Sequence, residues 1–196
     1  MKSILHVAAA AAAGLLLMAA EKAIDRTVKL EQSGEARLGS MAPSFGLWGL
    51  AGDGPFVLEK LRKLPQPAPL LITFGASWCA PCRSGLPRLK ALADKHPELR
   101  LVLVDLDRGA AEARAWVAEL GLKATVLHDK FEVCAKLYGA AGESKTSLPR
   151  TFLVDAKGRV RAIYSIEGVD LEAVIEADLK AALEAPGLAI PAAAQQ

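Results

Sequence analysis

Cys79 and Cys82, in the run Trp78-Cys79-Ala80-Pro81-Cys82, are the side chains of this 196-residue chain best spaced for covalent chemistry. Two thiols at this spacing can close a small disulfide ring without backbone movement if they open a helix. The flanking sequence predicts that setting. Leu70 to Phe74 (LLITF) is a short apolar run after the proline-rich segment KLPQPAP, the pattern of a strand buried on both faces. Leu86, Leu89, Leu92 and Ala93 then recur at helical spacing, which predicts a helix from about Cys79 to Lys95. Cys79 would sit where unpaired backbone N–H groups and the helix dipole favour an anion, so it is the expected attacking sulfur. Cys82, one turn in, is expected to be shielded and to resolve the mixed disulfide. Pro87 falls inside this helix and predicts a kink.

Two other uses of the pair are weaker. Half of a zinc site would need two further ligands, and the candidates His96, His128 and Cys134 are not in a paired arrangement. Two inert structural cysteines would not need a strand before them and a helix after them. The redox reading needs no bound cofactor and no metal, because electrons pass through the Cys79–Cys82 pair itself.

Composition removes several classes of function. With 24 Lys+Arg against 22 Asp+Glu, the net charge of +2 gives no electrostatic case for binding nucleic acid. A charged fraction of 23% with 52% hydrophobic residues excludes general disorder. Only 3 cysteines exclude a disulfide-dense scaffold, and the odd number leaves at least one thiol without an intramolecular partner. The apolar excess is concentrated in Ile4 to Ala20, which carries no Asp, Glu, Lys or Arg. That run is at the lower limit for a membrane span and slightly long for the core of a signal peptide. Small-residue cleavage patterns are poor, since Met18, Leu17 and Glu21 stand two positions before Ala20, Ala19 and Ala23. Residues 1–20 are therefore read as an uncleaved anchor, ahead of a cleaved signal and of an ordinary buried helix. Either leading reading exports the rest of the chain.

Residues 21–37 read as a polar spacer, 38–185 as one domain, and 186–196 as a flexible tail with no core-forming pattern. The domain opens on a hairpin, with Phe45 to Trp48 and Phe56-Val57-Leu58 flanking the Gly52-Asp53-Gly54 turn signal. Leu101 to Asp105 is a second buried strand. Ala110 to Leu120 is a helix with Ala113, Trp116, Val117 and Leu120 inward and Gly121 as its stop. Next come a strand at Ala124–Leu127, a short helix at Phe131–Tyr138 and a hairpin of Thr151–Asp155 with Val160–Ser165. A closing helix spans Asp170–Ala185, capped by Asp170. Strands alternating with helices predict an α/β fold, a mixed central sheet with helices on both faces. Trp48 and Trp116 are assigned to packing, His128 to a strand end, and Cys134 to the core on a stripe with Phe131 and Tyr138. Gly139–Ser147 is rich in turn residues and reads either as a mobile loop near the thiols or as an inert insertion.

On these residues the chain resembles the thioredoxin superfamily and, within it, the TlpA/ResA-type membrane-anchored thiol–disulfide oxidoreductases. The resemblance rests on Met41 to Phe45 (MAPSF), Leu71 to Cys82 (LITFGASWCAPC), Pro87, Leu148 to Asp155 (LPRTFLVD) and Gly158. It implies a thioredoxin-like fold with an N-terminal hairpin and an internal helix–strand insertion at Ala110–Leu127. It assigns Pro149 as a cis proline opposite the thiols, against the alternative of a trans proline at a strand start. Trp78, Pro81, Leu148, Pro149 and Arg150 would then form the substrate groove, with the Leu148 backbone facing Cys79. By resemblance, the task is reducing disulfides of exported proteins, in cytochrome c or oxidase assembly. The chain would act as a monomer fed by a membrane electron donor, on the exported (periplasmic) side of a bacterial inner membrane.

The chain departs from the family pattern in ways that touch the mechanism. Thr73 stands where thioredoxin has a buried Asp, and Gly85 where the TlpA/ResA branch often has Glu. Either carboxylate could take the proton from the resolving thiol. Arg150 follows the proline where Thr or Glu is common, and with Arg83 and Arg88 it predicts a positive rim favouring acidic partners, unless all three are simply solvated. Other readings are a disulfide oxidant or isomerase, and a non-catalytic binding or metal-delivery module. A peroxide reductase is disfavoured, since that chemistry needs one Cys held by an activating Thr and Arg.

Overall fold

The strongly apolar runs become the middle of a five-stranded sheet. The computed structural model describes residues 34–52, 54–65, 67–142, 145–165 and 170–184. The candidate anchor, most of the spacer and the tail lie outside the described residues. A short antiparallel hairpin, β1 (Gly46–Trp48) and β2 (Pro55–Val57), leads into a one-turn helix α1 (Leu58–Arg62). Then come β3 (Leu70–Gly75), α2 (Ala80–Lys95), β4 (Arg100–Asp105), α3 (Ala110–Glu119), β5 (Thr125–His128) and α4 (Val133–Leu137). The hairpin β6 (Arg150–Val154) and β7 (Val160–Tyr164) and the helix α5 (Leu171–Glu184) close the chain. The sheet order is β5-β4-β3-β6-β7, with β3, β4 and β5 parallel and β6 and β7 antiparallel to their neighbours. This is the mixed sheet the sequence predicts.

Every residue of β3 is buried, because side chains alternate across a sheet that is covered on both faces. Leu71, Leu101 and Leu153 point to the face covered by α2 and α5, where they meet Leu89, Leu92, Ile175 and Leu179. Phe74 and Phe152 point the other way and pack on Tyr138, with ring centroids 5.1 and 5.0 Å from it. Phe45, beside the hairpin, adds a third ring 5.8 Å from Tyr138. The Tyr138 hydroxyl donates to the Pro43 carbonyl at 2.8 Å, tying α4 to the segment ahead of β1. Tyr138→Phe keeps the ring and deletes only this bond, so it is expected to lower stability by about 1 kcal/mol in a chemical denaturation curve. A loss above about 3 kcal/mol would show that the packing, not the bond, had changed.

Several expectations change. Leu58 begins α1 instead of extending the second hairpin strand, and it is fully buried. The predicted helix at Phe131–Tyr138 shrinks to α4, because Glu132 adopts a left-handed backbone at φ 58° and the Asp129 carboxylate accepts from the N–H groups of Val133 and Ala135. Phe131 is consequently exposed and leaves the stripe assigned to it with Cys134. Trp48 is 68% exposed and does not pack in the core. It lines a groove of about 690 Å³ with Phe131, Val133 and His128. The segment from Gly139, expected as a mobile loop or an inert insertion, is tied down over its described part. Gly139 to Ala141 are buried, and the Ser147 N–H donates to the Ala140 carbonyl at 2.8 Å. Gly121 ends α3 as predicted, with a positive φ of 55° that favours glycine there.

Candidate active site

Cys79 is the N-cap of α2 and Cys82 lies in its first turn, so the element boundaries bring the two sulfurs together. They form a disulfide with Cα atoms 5.2 Å apart. The Cys82 N–H donates to Cys79 Sγ at 3.2 Å. A backbone donor aimed at this sulfur, at the positive end of a helix, stabilises negative charge on Cys79 when the disulfide opens. Both cysteines are buried, at 5% and 2% exposure, so the difference in shielding expected between them is small in the disulfide form. Pro87 lies inside the continuous helix α2.

The surroundings come from four elements. Cys79 and Cys82 share one buried cluster with Leu86, Leu103 and Trp116, against which Leu148 packs. The Leu148–Pro149 peptide bond is cis. Pro149 is buried, whereas Trp78 and Pro81 are exposed beside the disulfide. Gly75 ends β3 beneath the sulfurs, and a Cβ built there would lie 3.5 Å from Cys82 Sγ and 3.3 Å from the Trp116 ring. A larger residue would push into one or the other. Trp116 is therefore more than core filling: the insertion helix α3 delivers it to the redox pair.

The expected positive rim does not form. Arg150 is 3% exposed, lies over the Phe152 ring at 5.8 Å, and has its pKa lowered by burial. Arg83 pairs with Glu119 of α3, and Arg88 Nε donates to Glu172 of α5 at 2.6 Å. Carboxylates thus offset the two arginines that reach the surface. Arg150 belongs to the sheet, because β6 begins at it.

Thr73 shows what replaces the thioredoxin aspartate. Its hydroxyl shares a 2.8 Å hydrogen bond with Thr151 across β3 and β6, and both are buried. Gly85 is buried on α2. A carboxyl is nonetheless present on another strand, at the end of the buried run Leu101 to Asp105, on a residue to which the sequence pattern assigns no part in the site. Asp105, the last residue of β4, is fully buried, and burial together with the neighbouring Asp107 pushes its pKa up to about 8. Its Oδ2 accepts from the Asp107 N–H at 3.2 Å and lies 4.0 Å from His128 Nε2. Asp107, also buried, accepts from the Ser77 N–H at 3.1 Å and from its hydroxyl at 3.0 Å. Ser77 is two residues before Cys79, so this chain of bonds anchors the redox loop. The signal in the sequence is VDLD, two acids at the C-terminal end of an otherwise apolar strand.

Cys134 is buried, and burial pushes its thiol well above its ordinary range, which suits the core role assigned to it. Among the described residues, no group of three or more His, Cys, Asp or Glu side chains could hold a metal ion.

The AhpC/TSA family model matches residues 38–163. The chain belongs to that family. Within it, the chain is similar to thiol–disulfide proteins. A thiol:disulfide interchange protein, DsbE homolog, from Paracoccus denitrificans is 34% identical over 128 residues, covering 64% of this chain and 64% of that protein. The thiol-disulfide oxidoreductase ResA of Bacillus thuringiensis is 27% identical over 146 residues, 74% of this chain and 78% of that one. The crystal structure of a putative thiol:disulfide interchange protein DsbE from Chlorobium tepidum superposes with a TM-score of 0.65 at 27% identity. That match covers 76% of this chain and 99% of that one. The fold is thioredoxin-like.

Proposed function

We propose that this chain is a protein thiol–disulfide oxidoreductase that reduces disulfides of exported proteins. The observation that carries the reading is the disulfide between the N-cap and first turn of α2, buried against Leu148 beside the cis Leu148–Pro149 bond. In the reduced pair, the Cys79 thiolate attacks one sulfur of a substrate disulfide. A Cys79–substrate bond forms, and the other substrate sulfur leaves as a thiolate that takes a proton. Cys82 loses its proton and attacks Cys79 Sγ, which closes the Cys79–Cys82 bond and releases the second substrate thiol. Two electrons have moved from the pair to the substrate, and no cofactor beyond the two sulfurs is used.

Trp78, Pro81, Leu148, Pro149 and Arg150 form the groove for an extended substrate segment in this reading, with Arg150 holding its wall from within. A membrane electron donor returns the pair to the dithiol, and the apolar segment 4–20 holds the domain on the exported side of the membrane as a monomer. Support comes from the similarity to DsbE- and ResA-type relatives and from the charge-free N-terminal run. Among the described residues no helix is long and apolar enough to cross a membrane, and the candidate anchor is not among them.

The test is the reduction potential of the Cys79–Cys82 pair in the full chain, equilibrated in dithiothreitol or glutathione buffers. The expected value lies near or below about −250 mV, in the reductant range. A value above about −180 mV would make the chain an oxidant or isomerase. Absence of a two-electron transition would remove the redox reading altogether.

A further inference from the structure

Resolution of the mixed disulfide needs a base for Cys82, and the two positions where the family pattern would put one, Thr73 and Gly85, carry no carboxyl. The sheet register supplies one from the next strand. Gly75 of β3 pairs with Asp105 of β4, and residues paired in register across a parallel sheet point to the same face. The Gly75 face is the one that meets Cys82 Sγ and Trp116. Leu103, two residues before Asp105 and on the same face by alternation, packs in the cluster with Cys82 and Trp116. Asp105 is thus one strand spacing, about 5 Å, from Gly75, the residue at which an added Cβ would meet the resolving sulfur at 3.5 Å.

Asp105 Oδ1 is buried without a hydrogen-bond partner among the described residues, and so is Nε1 of Trp116, the residue whose Cη2 lies against the Gly75 position. An unpartnered buried polar group costs folding free energy, so its retention calls for an explanation, and a bridging water or a proton-exchange role is a common one. The remaining groups facing Asp105 are Asp107, through its N–H and carboxyl, and His128, whose Nε2 is also 2.8 Å from the Asp107 carbonyl oxygen. Burial first, and then the Asp107 carboxyl beside it, disfavour a negative charge on Asp105.

We propose that Asp105, backed by Asp107, exchanges the proton of Cys82 through a buried water that Trp116 Nε1 helps to hold. The step balances. The Cys82 thiol gives its proton by way of the water to the Asp105 carboxylate, and its thiolate attacks Cys79 Sγ as the Cys79–substrate bond breaks. The departing substrate thiolate then takes up one proton, which Asp105 returns through the same water. In the reverse direction Asp105 delivers the proton to Cys82 as the disulfide opens. A group titrating near neutrality is suited to both roles.

This inference rests on the redox reading of the pair, and one stopped-flow experiment separates the two. The reduced full chain is mixed with 4,4′-dithiodipyridine across a range from about pH 5 to about pH 10. Attack by Cys79 releases the first thiopyridone, and attack by Cys82 on Cys79 Sγ releases the second. In Asp105→Asn the first phase is expected within about twofold of wild type. The second is expected to slow at least about tenfold at about pH 7, with its pH profile displaced upward towards that of an unassisted thiol. Asp105→Glu should restore part of the rate, and Trp116→Phe, which deletes the Nε1–H while keeping an aromatic ring, should slow the second phase alone. A second phase in Asp105→Asn with wild-type rate and profile would overturn the inference and leave the redox reading standing. A slower phase with an unchanged profile would reduce Asp105 to a packing role and also overturn it. No second phase in the wild-type chain would remove both.

Discussion

Cys79→Ser is expected to abolish reduction of a protein disulfide, with a loss of at least about 10³-fold, because a serine hydroxyl is not ionised at neutral pH and cannot exchange with sulfur. The structure makes this sulfur the one whose charge is supported. It caps α2 and receives the Cys82 N–H at 3.2 Å, whereas Cys82 faces Gly75 and Trp116 in the core. The two cysteines should therefore fail differently. Cys82→Ser keeps the nucleophile and loses the resolving step, so it should stop at a covalent adduct of one substrate per chain, released by dithiothreitol. Mass spectrometry of each variant after incubation with a disulfide-bonded protein reads both outcomes. Equal activity of Cys79→Ser and wild type would mean that the chain works as a binding or delivery module. Adduct formation by Cys79→Ser but not by Cys82→Ser would reverse the two roles.

The parts legible in the sequence are those written in local periodicity. Apolar runs as short and pure as Leu70 to Phe74 and Leu101 to Val104 leave little choice but strands covered on both faces. The Cys-Ala-Pro-Cys motif is placed correctly because a strand pattern precedes it and a helix pattern succeeds it. Long-range pairing is not written that way. Arg150 looks like a surface charge beside Pro149, and only its position as the first residue of β6, over Phe152, takes it into the interior. Arg83 and Arg88 look like solvated charges because Glu119 and Glu172 are far off in sequence.

Asp105 escapes notice for the same kind of reason. The apolar run places it at the end of a buried strand, as the structure does, but local periodicity says nothing of the pairing with Gly75 that sets it beside the redox helix. Trp116 looks like ordinary packing from its helical spacing, which is correct as to burial and silent as to what it touches. A family pattern directs attention to the positions where the family keeps its carboxylate. In this chain Thr73 and Thr151 satisfy each other there, and the buried acid stands on β4, paired in register with Gly75.

Asp105→Asn is expected to make the protein more stable at about pH 8, on the order of 5 kcal/mol at most, with the advantage vanishing below about pH 4. The carboxyl ionises near 3.8 when unfolded and at about 8 when folded, so between those values the folded chain binds the extra proton. Stability contributed by the neutral carboxyl is complete below the unfolded value and is lost as pH rises through the folded one. Asparagine is neutral throughout and still offers an oxygen to the Asp107 N–H, so it escapes this loss. Denaturant titrations of both oxidised proteins from about pH 4 to about pH 9 should give stabilities that coincide at the acid end and diverge towards the alkaline end. Equal slopes across that range would show that the ionisation of Asp105 is not raised towards neutrality and would remove the electrostatic basis for its exchanging protons in both directions. The divergence, if found, bears on function as well as on folding. A carboxyl that weakens the fold at the pH where the protein works, and that asparagine could replace with its backbone bond kept, has no structural reason to be there. Proton transfer to Cys82 is a reason that asparagine cannot supply, and it accounts for why the acid is buried in register with Gly75 and not at the surface.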